Sequence, residues 1–344
     1  MFKNYLKIAW RKLWKQKLFS TINIISLAIG FSASFVIGLM VYYDFTFDKF
    51  HPDSELIYRV TSNYLTNEGE RGNRGVAVPL MAEAKKNISG VDVASQLHGA
   101  YFQKAEVDIT KRTYKDVETA VFTDPEYFQI FKYDWLAGLP SIALKEPNQV
   151  VLTEKRAAIY FPNLKPNEII GKTLVYNDSI QTSVIGVVAN FKERTDLVFE
   201  EFLSVETSKK TTQGSSIVIN PRWDSTSSGS TLFVKVVSSE VIPSITEQMN
   251  ALATEHRSDY DIKFNIKREF NLQPLSDIHF NQKYGIFNSS NPPADKSLIV
   301  GLGFIALFLL LLGCINFINL NTAQANQRAK EIGIRKTLGS SKKQ

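Results

Sequence analysis

The sequence has little cysteine, little histidine and no phosphate-binding loop. Its single cysteine, Cys314, lies inside an apolar run, so the large polar part of the chain can form no disulfide and must be held together by its own core. The four histidines, His51, His98, His256 and His279, are dispersed, and none has a second ligand at metal-binding spacing. No glycine-rich loop with the lysine and serine or threonine of a nucleotide-phosphate site occurs, so ATP binding of that kind is excluded and no cofactor is expected. Gly301, Gly303 and Ala306 match a dinucleotide fingerprint by spacing alone, because they sit in an apolar run with no strand before them. Acidic residues are absent from positions 1–17, and the only one after position 327 is Glu331.

That missing acid explains the basic balance of the chain. Lys3, Lys7, Arg11, Lys12, Lys15 and Lys17 precede one uncharged run, residues 18–43, and Arg328, Lys330, Arg335, Lys336, Lys342 and Lys343 follow another, 297–327. With those 12 of the 40 basic residues and one of the 34 acidic residues set aside, 28 and 33 remain between the flanks, a net of −5. The pI of 9.1 therefore belongs to the flanks alone. No basic patch with interleaved aromatics lies in the central region, which excludes nucleic acid as a partner, while lysines and arginines beside apolar runs suit anionic membrane lipid.

Each uncharged run is long enough to cross a hydrocarbon core of about 30 Å as a helix. The positive-inside rule puts both ends in the cytoplasm and the central region, 44–296, on the far side. The first run is too long for a signal-peptide core and reads as an uncleaved anchor. Ahead of it, residues 1–17 have Phe2, Leu6, Trp10, Leu13 and Trp14 on one side and the basic residues on the other, the pattern of an interfacial amphipathic helix. Within the first span, 18–43, Ser26, Gly30, Ser34 and Gly38 form a stripe of small residues that would admit a neighbouring helix. The second span, 297–321, carries Asn316, Asn319 and Asn321 near its inner end, where amides can bond to neighbouring helices.

The central region reads as α+β. Residues 56–65 suit a strand, 79–87 a helix opened by proline and 91–97 a strand; the same order returns as a strand at 231–237, a helix at 242–257 and a strand at 261–267. Two such units about 130 residues apart suggest one subdomain, 50–105 with 206–285, interrupted by an inserted one at 106–205. The insert contains a helix at 153–161, stopped by Pro162, and a strand at 183–188, whereas 207–230, rich in serine, threonine and glycine, reads as a long mobile loop. Asp277 and His279 would share a face of a strand, but no nucleophile stands beside them, so a structural role is expected and no catalytic residue is assigned.

The residues after the second span are the most specific. Asn319-Leu320-Asn321-Thr322-Ala323 is followed by Lys330-Glu331-Ile332-Gly333-Ile334-Arg335-Lys336-Thr337-Leu338-Gly339, which resembles the signature of FtsX-like ABC-transporter permeases of the MacB-like group. Thr123-Asp124-Pro125-Glu126-Tyr127-Phe128 with Gly138, Val150-Val151-Leu152-Thr153-Glu154 and the stretch 275–279 resemble the periplasmic core domain of that group, and 4–13 resembles its amino terminus.

The resemblance implies a bacterial inner-membrane permease subunit whose ATPase activity lies in a separate cytoplasmic subunit. It also implies a periplasmic core made of a split porter-like subdomain with an insert, and a coupling helix in 322–344. In that helix Ile332, Ile334 and Leu338 would supply apolar contacts, with Lys330, Glu331, Arg335 and Lys336 as a charged rim and Gly333 and Gly339 between them. Further implied partners are a second copy or a paired permease half, and a periplasmic adaptor or outer-membrane component; the implied work is efflux, or peptide or lipoprotein export. Such permeases have four spans or more, so Gln344 is expected to mark a break in a longer protein. The alternative is a two-span sensor with a ligand-binding outer domain, whose relay helix Gly333 and Gly339 would interrupt.

Overall fold

A computed structural model describes residues 11, 14, 17–210, 220–287 and 292–338. The proposed amphipathic helix at 1–17 lies largely outside them. Two compact units result, one from the two ends of the chain, up to Phe45 and from Asp295, and the other Thr46–Ala294.

The first unit is a pair of long helices, Lys17–Phe45 and Lys296–Thr337. Their apolar stretches, Ser20–Phe45 and Lys296–Asn319, are long enough to cross a membrane. Asp295 starts the second helix by accepting hydrogen bonds from the backbone of Ser297 and Leu298, which satisfies two of the amides a helix start leaves open.

Among the described residues, the second unit has eleven strands: β1 (Ile57–Thr66), β2 (Gly69–Asn73), β3 (Val91–Val107), β4 (Arg112–Thr123), β5 (Trp135–Gly138), β6 (Gln149–Thr153), β7 (Thr173–Tyr176), β8 (Ile180–Val188), β9 (Glu201–Ser204), β10 (Ser230–Val236) and β11 (Lys267–Pro274). They join in the order β11-β1-β10-β3-β4-β9-β6-β8-β5, with β2 beside β1 and β7 beside β3 and β8. The pairs are antiparallel except β4 with β9 and β6 with β8.

The sequence-distant repeat is brought together at one end of this sheet. β1 lies between β10 and β11, and β10 pairs with the first part of β3. Helices Val78–Lys86 and Ile242–Glu255 bury Leu80, Met81, Ile245 and Met249 against Val60, Leu232 and Val234. A second core, with Phe102, Leu152, Tyr160, Tyr176 and Val184, serves the inserted part. The boundary expected at 105/106 falls inside β3, which pairs with β10 at one end and with β7 at the other. One continuous strand thus belongs to both parts.

The structure corrects three local expectations. The strand placed at 261–267 is a helical turn, Asp259–Lys263, capped by Ser258; buried Asp261 is held by Arg268 at 2.8 and 2.9 Å, and the strand begins only at Lys267. A serine cap followed by acids in the first turn outweighs the alternation that suggested a strand. Residues 275–280 form a 3₁₀ turn, not a strand. In the expected loop at 207–230, the first residues belong to a helix, Val205–Lys210, while 211–219 lie outside the described residues.

Two motif positions have structural explanations. Gly138 has φ 84°, and a Cβ there would stand 2.3 Å from the carbonyl oxygen of Ile185, so only glycine fits. Asp124 accepts from Ser95 Oγ at 2.8 Å and the Gln96 amide at 3.1 Å and lies 2.8 Å from Lys85 Nζ, tying the helix Val78–Lys86 to the sheet. In the insert, fully buried Glu201 accepts from the hydroxyls of Tyr160 at 2.8 Å and Tyr176 at 2.5 Å, with the Arg156 guanidinium 3.2 Å away. Burial pushes its pKa up, which Arg156 offsets.

Candidate functional site

Three places hold the candidate functional residues. The first is the packing of the two long helices. Asn316 Nδ2 donates to Ser26 Oγ at 2.6 Å, and Ser34 Oγ donates to the Ala306 carbonyl at 2.8 Å. A Cβ on Gly30 would lie 3.4 Å from the Leu309 carbonyl oxygen, so the backbones approach closely there. Contacts that rise along one helix as they descend along the other make the pair antiparallel. Three of the four stripe residues, Ser26, Gly30 and Ser34, therefore meet the second helix. A Cβ on Gly38 would have no neighbour within 4 Å. Asn321 Nδ2 donates to the Phe317 carbonyl of its own helix at 2.8 Å. Ala306 and Gly313 are contact positions that sequence reasoning missed, since a small residue among leucines and phenylalanines carries no distinguishing signal.

The second place is the carboxyl-terminal extension. The helix runs without a break from Lys296 to Thr337, through Gly333, so the interruption expected at that glycine does not occur. One glycine costs about 1 kcal/mol in a helix, too little to end a run of this length. Ile332, Ile334 and Leu338 are 56%, 53% and 81% exposed. Ile334 and Leu338, one turn apart, share a face, and Lys330 and Lys336 are exposed with them. The side chains of Glu331 and Arg335, and Gly339, lie outside what is described.

The third place is in the outer domain, where two connectors meet. One, from Thr46, follows the first span; the other, up to Ala294, precedes the second. The rings of Phe47 and His279 stack with centroids 3.6 Å apart, and the His279 carbonyl accepts from the Ala294 amide at 2.9 Å. His279 Nδ1 donates to Asp196 Oδ2 at 3.0 Å. Loop 189–200, which carries Asp196, also holds the first connector: the Asp48 amide donates to the Arg194 carbonyl at 2.9 Å, the Asp196 amide to Asp48 Oδ2 at 3.3 Å, and Arg194 Nη1 to Thr46 Oγ1 at 2.8 Å. Buried His51 lies 3.7 Å from Asp48 among the rings of Phe50, Phe131 and Phe191.

This arrangement separates the residues that the sequence set side by side. Asp277 accepts from Gln273 Nε2 at 2.8 Å and Asn281 Nδ2 at 2.9 Å, while His279 takes an acid 83 residues earlier. No spacing in the sequence signals that pairing.

The second connector has a further anchor. Arg59, completely buried, donates to Gln273 Oε1 at 2.6 Å and to the Gly285 carbonyl at 2.9 Å; Arg74 donates to the Ile286 carbonyl. Both guanidinium groups lie over the ring of Phe287, at 5.6 and 5.5 Å. Burial, with Arg74 beside it, pushes the Arg59 pKa down to about 9. Among the described residues no group of three or more histidine, cysteine or acidic side chains is arranged to hold a metal ion.

Comparison with known proteins returns the same architecture. The family model described as the MacB-like periplasmic core domain matches residues 20–252, and that described as the FtsX-like permease C-terminal region matches 303–344. A crystal structure of a domain from a Porphyromonas gingivalis protein described as a permease is similar in fold. It has a TM-score of 0.54 and 15% identity, covering 74% of this chain and 99% of that one. The periplasmic region of MacB from Actinobacillus actinomycetemcomitans aligns with a TM-score of 0.43 and 16% identity, over 63% of this chain and 89% of its own. The extracellular domain of the noncanonic ABC-type transporter YknZ from Gram-positive bacteria gives 0.42 and 15%, over 62% and 99%. No curated protein sequence matches.

Proposed function

The chain belongs to the MacB-like, FtsX-like family of ABC-transporter permeases, and from that premise we propose that it is the permease subunit that couples a separate cytoplasmic ATPase to movement of its outer domain. The observation that carries this reading is the continuity of the helix Lys296–Thr337. It joins an apolar stretch long enough to span a membrane to an exposed segment bearing Ile332, Ile334 and Leu338. A rigid helix transmits displacement along its axis, and exposed aliphatic side chains beside lysines suit a groove in a partner.

In this reading both termini are cytoplasmic and Thr46–Ala294 is periplasmic. ATP binding by the partner moves the segment around Lys330–Leu338, and the paired spans pass that movement to the two connectors. The work is efflux, or export of a peptide or lipoprotein, done by the outer domain of a homodimer or of a paired permease half, with a periplasmic adaptor or outer-membrane component as a further partner.

The test is co-purification of the ATPase with full-length protein carrying Gly333→Asp and Ile334→Asp. Loss of the ATPase, with membrane insertion retained, is expected; unchanged co-purification overturns the docking assignment. The uninterrupted helix also suits the two-span sensor. For that reading, a ligand-induced change in the outer domain would occur with no ATPase bound to the chain.

A further inference from the structure

Side chains alternate along β1, so Tyr58 and Val60 pack on the helices while Ile57 and Arg59 face the other side of the sheet. Strand register sets Gln273 of β11 opposite Arg59, and the Gln273 Oε1 atom accepts from Arg59 Nε at 2.9 Å and from Nη2 at 2.6 Å. Arg59 Nη1 is buried as well and has no hydrogen-bond partner. A buried donor of that kind calls for an ion, a water or a ligand. Arg74 stands beside it, half-buried. Its Nε donates to the Ser228 carbonyl at 2.8 Å and its Nη1 to the Ile286 carbonyl, which leaves Nη2 uncommitted.

The charges around the two guanidinium groups do not cancel. Among the described residues neither group has an ion-pair partner. Asp277 offsets Arg59 at a distance, across Gln273, and Asp196 is taken by His279. No acid offsets Arg74, and both arginines stay charged at neutral pH, since even the Arg59 pKa falls only to about 9. The pair therefore carries one positive charge more than the acids nearest to it, and a buried charge without a partner is costly.

We propose that Arg59 and Arg74 form a binding site for a small oxyanion, a carboxylate or a phosphate, held by the two uncommitted groups, Arg59 Nη1 and Arg74 Nη2. Guanidinium groups match oxyanions in charge and in the spacing of their donors. The oxyanion enters from the side of Arg74, because Arg59 is completely buried. The same two arginines hold the carbonyls of Gly285 and Ile286, so the occupied site ties the second connector to β1. The site requires no ATPase, and its test is independent of the docking assignment.

The experiment uses the full chain in dodecyl maltoside micelles and Tris buffer, which carry neither phosphate nor carboxylate. Inorganic phosphate and acetate are the probes, with sodium chloride at matched ionic strength as the blank, and near-ultraviolet circular dichroism follows the melting temperature. A saturable rise with at least one oxyanion, beyond that with chloride, is expected, and the larger rise tells phosphate from carboxylate. Arg74→Gln is expected to weaken the apparent affinity about tenfold. Should that variant fail to fold, Arg74→Lys, which keeps the charge and loses the fork, is expected to weaken it about threefold. At saturation, amide hydrogen exchange in 285–287 is expected to slow. The site is overturned by a rise no greater than that with chloride, or by the parent's affinity in Arg74→Gln, or in Arg74→Lys where the glutamine variant does not fold. Unaltered exchange in 285–287 at saturation overturns the tie to the connector.

Discussion

The ring of Phe47 lies nearly flat on the imidazole of His279, with centroids 3.6 Å apart and planes 13° from parallel. Phe47 stands just past the first span and His279 is 16 residues before Asp295, where the second span's unit begins. The contact therefore links the two connectors at the point where each joins the outer domain. Asp196 fixes the imidazole from the side.

Replacing His279 by alanine removes both the stacked ring and the donor that satisfies the buried Asp196 carboxylate. The expected cost is about 2–4 kcal/mol, combining a lost aromatic contact with an unpaired buried acid. Phe47→Ala, which leaves the Asp196 pair intact, is expected to cost about half as much. Denaturant unfolding followed by near-ultraviolet circular dichroism measures both, and equal losses would mean that the Asp196 bond contributes nothing.

The helix pair is expected to depend on the Ser26 and Asn316 bond to a modest degree. A double-mutant cycle with Ser26→Ala and Asn316→Leu should give a coupling of about 0.6 kcal/mol and no more than about 1.7 kcal/mol. Gly30→Leu should do more harm than either, because its Cβ would already lie 3.4 Å from the Leu309 carbonyl oxygen. Unfolding in mixed micelles is the measurement; a Gly30→Leu protein as stable as the parent would rule out close packing at this point.

His98 supplies a pH dependence of defined sign. Burial, with Lys209 nearby, pushes its pKa from 6.5 down to about 4, and its bonds to Ser230 Oγ at 2.9 Å and Gln96 Oε1 at 3.3 Å suit a neutral ring with one donor and one acceptor. The unfolded chain takes up the proton first, so the contribution is full above pH 6.5 and is lost as pH falls towards 4. About 3 kcal/mol of stability should disappear across that window. Unfolding measured at half-unit steps should show the slope in the parent and a flatter profile in His98→Gln.

Orientation is checked by labelling. With Cys314→Ser as background, Glu68→Cys, at a position 81% exposed, should react with an impermeant maleimide in intact spheroplasts. Lys330→Cys should react only after the membrane is opened. The opposite pattern would reverse the assignment made from the basic flanks.

Much of the architecture was legible because it rests on local chemistry. Long uncharged runs can be read residue by residue, and the structure has apolar helices at Ser20–Phe45 and Lys296–Asn319, close to the spans expected. The strands at Ile57–Thr66 and Ser230–Val236 and the helix at Ile242–Glu255 follow from alternation and from helical period. Where two local signals competed, as at Asp259–Lys263, the capping serine and the buried Asp261 prevailed over the pattern. Gly333 looked like a helix stop because its propensity is poor, yet its neighbours carry the helix past it.

What the sequence by itself determined is the order of the chain: two apolar segments, basic flanks outside them and a cysteine-free α+β domain between. Those features depend on neighbouring residues alone, so reading along the chain finds them. What only the tertiary structure decided is which distant residues meet. The sheet lays β1 between β10 and β11, running β3 through both parts of the domain, and it brings Asp196 to His279 and Phe47 to the same ring. The meeting of Arg59 and Arg74 at the ring of Phe287 exists for the same reason. Such contacts span from tens to more than 200 residues, and their geometry is set by strand register and core packing, which no local pattern encodes.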